Sequence, residues 1–239
     1  MLADMRWAIL MVATVLAWSA APPQTASLRV LFIGNSLTAA NNLPQMVRNI
    51  ATAAGTPRIR TTAVTAPNVS LEDHWQSGRA RAAIARGGWD VVVLQQGPSA
   101  LPESQALLRE YTRRFDAEIR KAGAKPALYM VWPSKARFQD FDGVKASYTR
   151  AAVDVGGVLL PAGEAWRAAW RREPDLALYS RDQFHPSRLG TYLAALVIYE
   201  ALTGRSVVGL PPGVEGREFT PTRVRLLQEA AHGSVGERR

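Results

Sequence analysis

Few residues in this chain can do acid–base or nucleophilic chemistry near neutral pH. There are three histidines, His74, His185 and His232, and no cysteine in 239 residues. The missing cysteines exclude disulfides, thiolate nucleophiles and cysteine-held zinc. His185 stands in the segment YSRDQFHPSRLG, three residues after Asp182. This D-x-x-H spacing lets a carboxylate fold back onto one imidazole nitrogen and leaves the other free to move a proton. Taken alone, the same pair also suits a helix-entry loop whose side chains only satisfy backbone donors. Two such groups without a third do not make a metal site. His74, inside a helical stretch beside Trp75, reads as a packing residue, and His232 as a surface residue near the end of a C-terminal helix.

A base of this kind needs a partner, because a serine hydroxyl becomes a nucleophile only when its proton can be taken. Ser36 lies in LRVLFIGNSLTAANNLPQM, where an apolar run stops at Gly34 and a helical pattern follows. That places a hydroxyl at the mouth of a strand and near the start of a helix.

The surrounding pattern says what must position these groups. Strand-like runs at 28–34, 58–64, 90–96, 126–132 and 157–161 alternate with helical stretches at 43–55, 70–88, 103–123, 141–156, 163–173 and 187–204. DVVVLQQ (90–96) is a continuous apolar run, as in a strand buried on both faces, whereas RIRTTAV (58–64) alternates like an edge strand. Such alternation implies crossover connections and a parallel sheet between helical layers. Ligands bind such sheets beyond the carboxyl ends of the strands, where the strand order reverses. Ser36 falls at such an end.

Length and a 47% hydrophobic composition suit one domain with one core, expected over 27–239 with a helical extension from about residue 205. Residues 1–26 read as an export signal, with Arg6 before the apolar stretch WAILMVATVLAW and small residues after it. That stretch is shorter than the ~20 apolar residues a bilayer-spanning helix needs. The expected mature protein is exported, periplasmic or extracellular, and not inserted in a membrane. A net charge of +9 permits a nucleic-acid partner. However, the arginines are scattered among acids in helices such as RRFDAEIRKAG, as on a solvated face, so no nucleic acid is expected.

FIGNSLT together with DQFHPSRLGTYLAA resembles the SGNH (GDSL-like) hydrolase superfamily, over roughly Leu28 to Gly204. The resemblance implies a three-layer α/β/α, flavodoxin-like fold with about five parallel strands. It also implies Ser36 as nucleophile, His185 as general base, Asp182 as the residue that orients it, and no cofactor or metal. The chain departs from the family pattern in three places. Asn35 stands where the family has Asp. APNVSLEDHW has no glycine to offer an N–H to an oxyanion, so the donor falls near Asn68, Val69 or Ser70. LQQGPSA replaces G-x-N-D, which points to a glutamine amide as oxyanion donor. Gln95 is expected ahead of Gln96, with Ser99 third. The oxyanion hole is thus expected from Ser36, Gln95, Gln96 and Ser70.

These features lead to an exported serine esterase acting on a small-molecule or glycan ester, with O-acetyl groups on carbohydrate as the favoured substrate. The alternatives are a non-catalytic glycan-binding module of the same fold and an O-acyltransferase using the same triad.

Overall fold

The computed structural model describes residues 27–55 and 57–236. The expected export signal and its cleavage site lie outside the described residues. Five strands, β1 (Leu28–Gly34), β2 (Ile59–Thr65), β3 (Val91–Leu94), β4 (Lys125–Tyr129) and β5 (Val158–Leu160), form one sheet. All neighbours are parallel, in the order β2-β1-β3-β4-β5. The strand order reverses between β1 and β3, so the ends of these two strands frame the natural binding crevice.

The expected three-layer α/β/α architecture is present. After β1 the chain makes a short helix, α1 (Ser36–Ala39), a 3₁₀ turn (Ala40–Asn42) and α2 (Leu43–Ala53). The left-handed backbone of Asn41 and Asn42 separates α1 from α2, and Pro44 in the first turn of α2 suits a helix start. One helical layer contains α2, α7 (Ala162–Arg172), α8 (Arg188–Thr203) and α9 (Pro221–Gly236). The other contains α3 (Leu71–Ser77), α4 (Arg79–Ala85), α5 (Pro102–Lys121) and α6 (Phe141–Asp154).

The helix expected over 70–88 is two helices. Gly78, with φ of 73°, closes α3 and opens α4. That left-handed conformation costs an L-residue but not glycine. The apolar residues of β1 and β3, Val30 to Ile33 and Val91 to Leu94, are buried, as the continuous runs require. α9 packs on α7 and α8 and buries Leu227 and Ala231. Among the described residues no helix is long and apolar enough to cross a membrane.

Candidate active site

Ser36 is the first residue of α1, whose N-cap is Asn35. An N–H at this position has no acceptor within its own helix. The Asn35 carboxamide accepts the Leu37 N–H at 3.0 Å, so the turn from β1 into α1 is closed by Asn35 itself. Behind the turn, the Nε2 of buried His74 donates to the Gly34 carbonyl at 2.9 Å. Burial lowers the His74 pKa and favours the neutral ring. His74 is thus a packing residue that anchors the end of β1.

His185 comes from the loop before α8, 149 positions away in sequence from Ser36, and its Nε2 lies 2.9 Å from Ser36 Oγ. Its Nδ1 lies 2.6 Å from Asp182 Oδ2. Asp182 has only acceptors to offer, so the neutral ring carries its proton on Nδ1 and presents a bare Nε2 to the serine hydroxyl. The other carboxylate oxygen, Oδ1, accepts from Phe184 N–H at 3.0 Å, Ser180 Oγ at 2.7 Å and His185 N–H at 2.9 Å. These bonds, Phe184 N–H foremost, hold the Asp182 carboxyl well below the usual carboxylate range.

The loop is pinned on several sides. Tyr179 bridges Pro186, Trp132 Nε1 donates to the Phe184 carbonyl at 3.0 Å, and Lys135 N–H donates to the Gln183 carbonyl at 2.9 Å. Asn41 ties the two halves of the site together. Its Nδ2 donates to the Pro186 carbonyl at 3.0 Å and to Thr191 Oγ1 at 2.9 Å. The sequence reading passed over Asn41, although a paired Asn-Asn just after the serine is a sign of left-handed backbone.

A cavity of about 590 Å³ opens over Ser36, between the ends of β1 and β3, and Arg137 and Phe184 reach it from the far side. Polar groups from Asn68, Ser99 and Ser104 line it, together with apolar Val69, Leu101 and Leu107.

The structure corrects three of the expected oxyanion donors, Gln95, Ser70 and Gln96, whose donors are bound elsewhere. Gln95 does not line this cavity. It is completely buried and turned back beneath the serine turn. Its Oε1 accepts from Asn35 N–H at 2.9 Å and Thr38 Oγ1 at 2.7 Å. Its Nε2 donates to Asn35 Oδ1 at 3.0 Å and to the Gln96 carbonyl. An amide has two donors and two lone pairs, so nothing is left for a substrate. Ser70 does line the cavity, but its N–H donates to Asp73 Oδ2 at 2.8 Å and its hydroxyl bonds the same residue, completing the capping box of α3.

Gln96 reaches the cavity, yet its Nε2 donates to Ser99 Oγ at 2.9 Å and the Ser104 carbonyl at 3.2 Å. Its Oε1 accepts the Leu71 N–H at 3.1 Å. Ser99 itself, with φ of 58°, donates to the Gly97 carbonyl. The N–H groups of Ser36 and Val69 have no acceptor among the described residues. Val69 follows Asn68, whose left-handed φ of 55° supplies by asparagine the kind of conformation usually left to glycine. His232 lies far from this site in sequence and fold and bonds the buried Glu200 of α8 at 2.6 Å. Among the described residues no group of three or more His, Asp or Glu could hold a metal ion.

No family model matches the chain, and no curated protein matches it. Solved structures do. A protein from Slackia heliotrinireducens described as an SGNH hydrolase is 27% identical, with a TM-score of 0.62 over 74% of this chain and 100% of its own. A DUF4886 family protein from Bacteroides uniformis is 23% identical, with a TM-score of 0.72 over 88% of this chain and 95% of its own. An acetylxylan esterase from Geobacillus stearothermophilus is 15% identical, with a TM-score of 0.55 over 80% and 97%. This chain has the SGNH hydrolase fold and resembles that superfamily in both sequence and structure.

Proposed function

We propose that the chain is a serine esterase that cleaves a carboxylic ester through an acyl-enzyme. The observation that carries this reading is the continuous relay from Ser36 Oγ to His185 Nε2 at 2.9 Å and from His185 Nδ1 to Asp182 at 2.6 Å. In the first step Ser36 Oγ attacks the ester carbonyl carbon and His185 Nε2 takes its proton. The negative charge on the carbonyl oxygen is met by backbone N–H groups, with those of Ser36 and Val69 the available candidates. The C–O bond to the alcohol then breaks, and the His185 imidazolium gives that alcohol its proton. Water, deprotonated by the same nitrogen, attacks the acyl-serine, and as the bond to Ser36 Oγ breaks, the His185 imidazolium returns its proton to that oxygen and the carboxylic acid is released. Asp182 stays ionised throughout and stabilises the imidazolium.

The cavity mixes apolar Val69, Leu101 and Leu107 with polar Asn68, Ser104 and Arg137. That lining fits a short acyl group attached to a polar alcohol. Together with the acetylxylan esterase among similar structures, it supports O-acetylated carbohydrate as substrate. The N-terminal segment supports an exported enzyme that meets such a polymer outside the cytoplasm. The test is turnover of p-nitrophenyl acetate, butyrate and octanoate by the chain from residue 27 onward, beside Ser36→Ala. The proposal expects acetate to be preferred and Ser36→Ala to lose at least ~10³ in kcat. Equal rates for the two proteins would refute the reading, and no turnover by either would favour a glycan-binding module.

A further inference from the structure

The two unusual polar positions in this chain, Asn35 before the serine and Gln95 after β3, meet in the structure. Gln95 uses all four hydrogen-bonding positions of its amide, and three of these bonds go to the serine turn, two to Asn35 and one to Thr38. Asn35 in turn donates from Nδ2 to the Val69 carbonyl at 3.2 Å. A chain of side-chain amides therefore runs from β3, through the turn that holds Ser36, to the loop that carries the Val69 N–H. Gln95 is fully buried, and Asn35, at the edge of the cavity, is only 8% exposed.

We infer that Gln95 and Asn35 form a latch that fixes the spacing between the Ser36 and Val69 N–H groups, and so sets the oxyanion hole from behind. Gln95 is a positioning residue, since both donors of its amide are spent, and Asn35 acts with it by tying the serine turn to the Val69 carbonyl. This inference rests on the esterase reading above. It also accounts for Asn35. Asparagine can accept from Leu37 N–H and Gln95 on one atom and donate to Val69 on the other, whereas an aspartate would set a second carboxylate oxygen against the Val69 carbonyl. Restoring the aspartate of the family motif should therefore harm this chain.

The experiment compares Gln95→Leu, Asn35→Asp and the double variant with wild type and Ser36→Ala. It measures kcat and KM for p-nitrophenyl acetate and the affinity for phenylboronic acid, which adds to a serine oxygen as a tetrahedral anion. Each protein is assayed at a temperature where circular dichroism shows it folded. The latch predicts kcat lower by about 10–10²-fold for Gln95→Leu and about 10-fold for Asn35→Asp, with KM within about twofold, because the bonds being positioned strengthen only in the transition state. Boronate affinity should fall in step with kcat. The double variant should be no worse than the poorer single one, as for residues acting as a unit. Either single variant within threefold of wild-type kcat, a change confined to KM, or multiplying effects would overturn the inference. If Gln95→Leu does not fold, Asn35→Asp alone decides, since it changes a single contact. An active Ser36→Ala would instead refute the esterase reading itself.

Discussion

Asp182→Asn separates orientation from architecture more cleanly than any other change in this site. Asp182 Oδ1 holds the loop through three donors, and Oδ2 meets only His185 Nδ1. Asparagine can keep all three loop bonds on its carbonyl oxygen. Its amide nitrogen then faces Nδ1 and can bond it only if Nδ1 has no proton. The ring proton moves to Nε2 and points at Ser36 Oγ, so the base can no longer take the serine proton. This is the wrong-tautomer penalty, of the order of 10⁴ in kcat where the same exchange disables a serine–histidine pair. The stability cost is small, because the Asp182 side chain is 50% exposed and ion pairs in such surroundings contribute no more than about 1 kcal/mol. Initial rates with p-nitrophenyl acetate and urea midpoints at one temperature measure both. Retention of more than about a tenth of wild-type kcat in a folded protein would refute the reasoning and assign His185 another orienting group. The carboxyl is held below its unfolded value, so its stabilising contribution is present above about pH 4 and lost as pH falls below that. Wild type should therefore lose stability relative to Asp182→Asn on acidification.

Two further outcomes follow from the packing beneath the serine. A methyl group on Gly34 would lie 2.4 Å from Thr38 Oγ1 and 2.5 Å from Gln95 Oε1. Gly34→Ala should therefore cost about 2–4 kcal/mol in urea unfolding, from overpacking and displaced buried hydrogen bonds, and reduce kcat as well; a loss under 0.5 kcal/mol would mean the turn gives way freely. His74 is held neutral by burial, so its folded pKa lies below the unfolded value of about 6.5. The unfolded chain then binds the extra proton first, and stability falls as pH drops below that value. His74→Gln should remove this part of the pH dependence, seen as a shallower slope of unfolding free energy between pH 7.5 and 5.5, and an unchanged slope would show that His74 does not titrate on unfolding.

The sheet was legible because the central strands β1 and β3 are buried on both faces and so carry apolar runs, Val30 to Ile33 and Val91 to Leu94. The same burial hid the direction of Gln95. In a strand exposed on one face, alternation fixes which residues point where. Val91 to Leu94 are apolar on both faces, so the sequence shows that Gln95 and Gln96 point apart but not which one meets the cavity. The bonds from Gln95 to Asn35 span 60 positions, and no local pattern encodes them. Val69 escaped notice as an individual donor because its contribution is a backbone N–H, which every residue except proline has. Gly78 was visible as a glycine within a helical pattern, but a single glycine is often tolerated inside a helix, and only its left-handed φ divides α3 from α4. The serine, aspartate and histidine were legible because the D-x-x-H spacing is short and the apolar run ending at Gly34 marks the serine turn.

The central claim, that Ser36 is activated by His185 for attack, is tested most directly by labelling with a fluorophosphonate. This reagent forms a stable phosphonyl–serine bond with loss of fluoride. Intact mass and peptide mapping should show one adduct per chain, on the peptide that contains Ser36. The adduct should be absent from Ser36→Ala, and His185→Ala should form it at least ~10²-fold more slowly. Folded wild-type protein that takes up no label, or that is labelled at another serine while Ser36 stays free, would contradict the account.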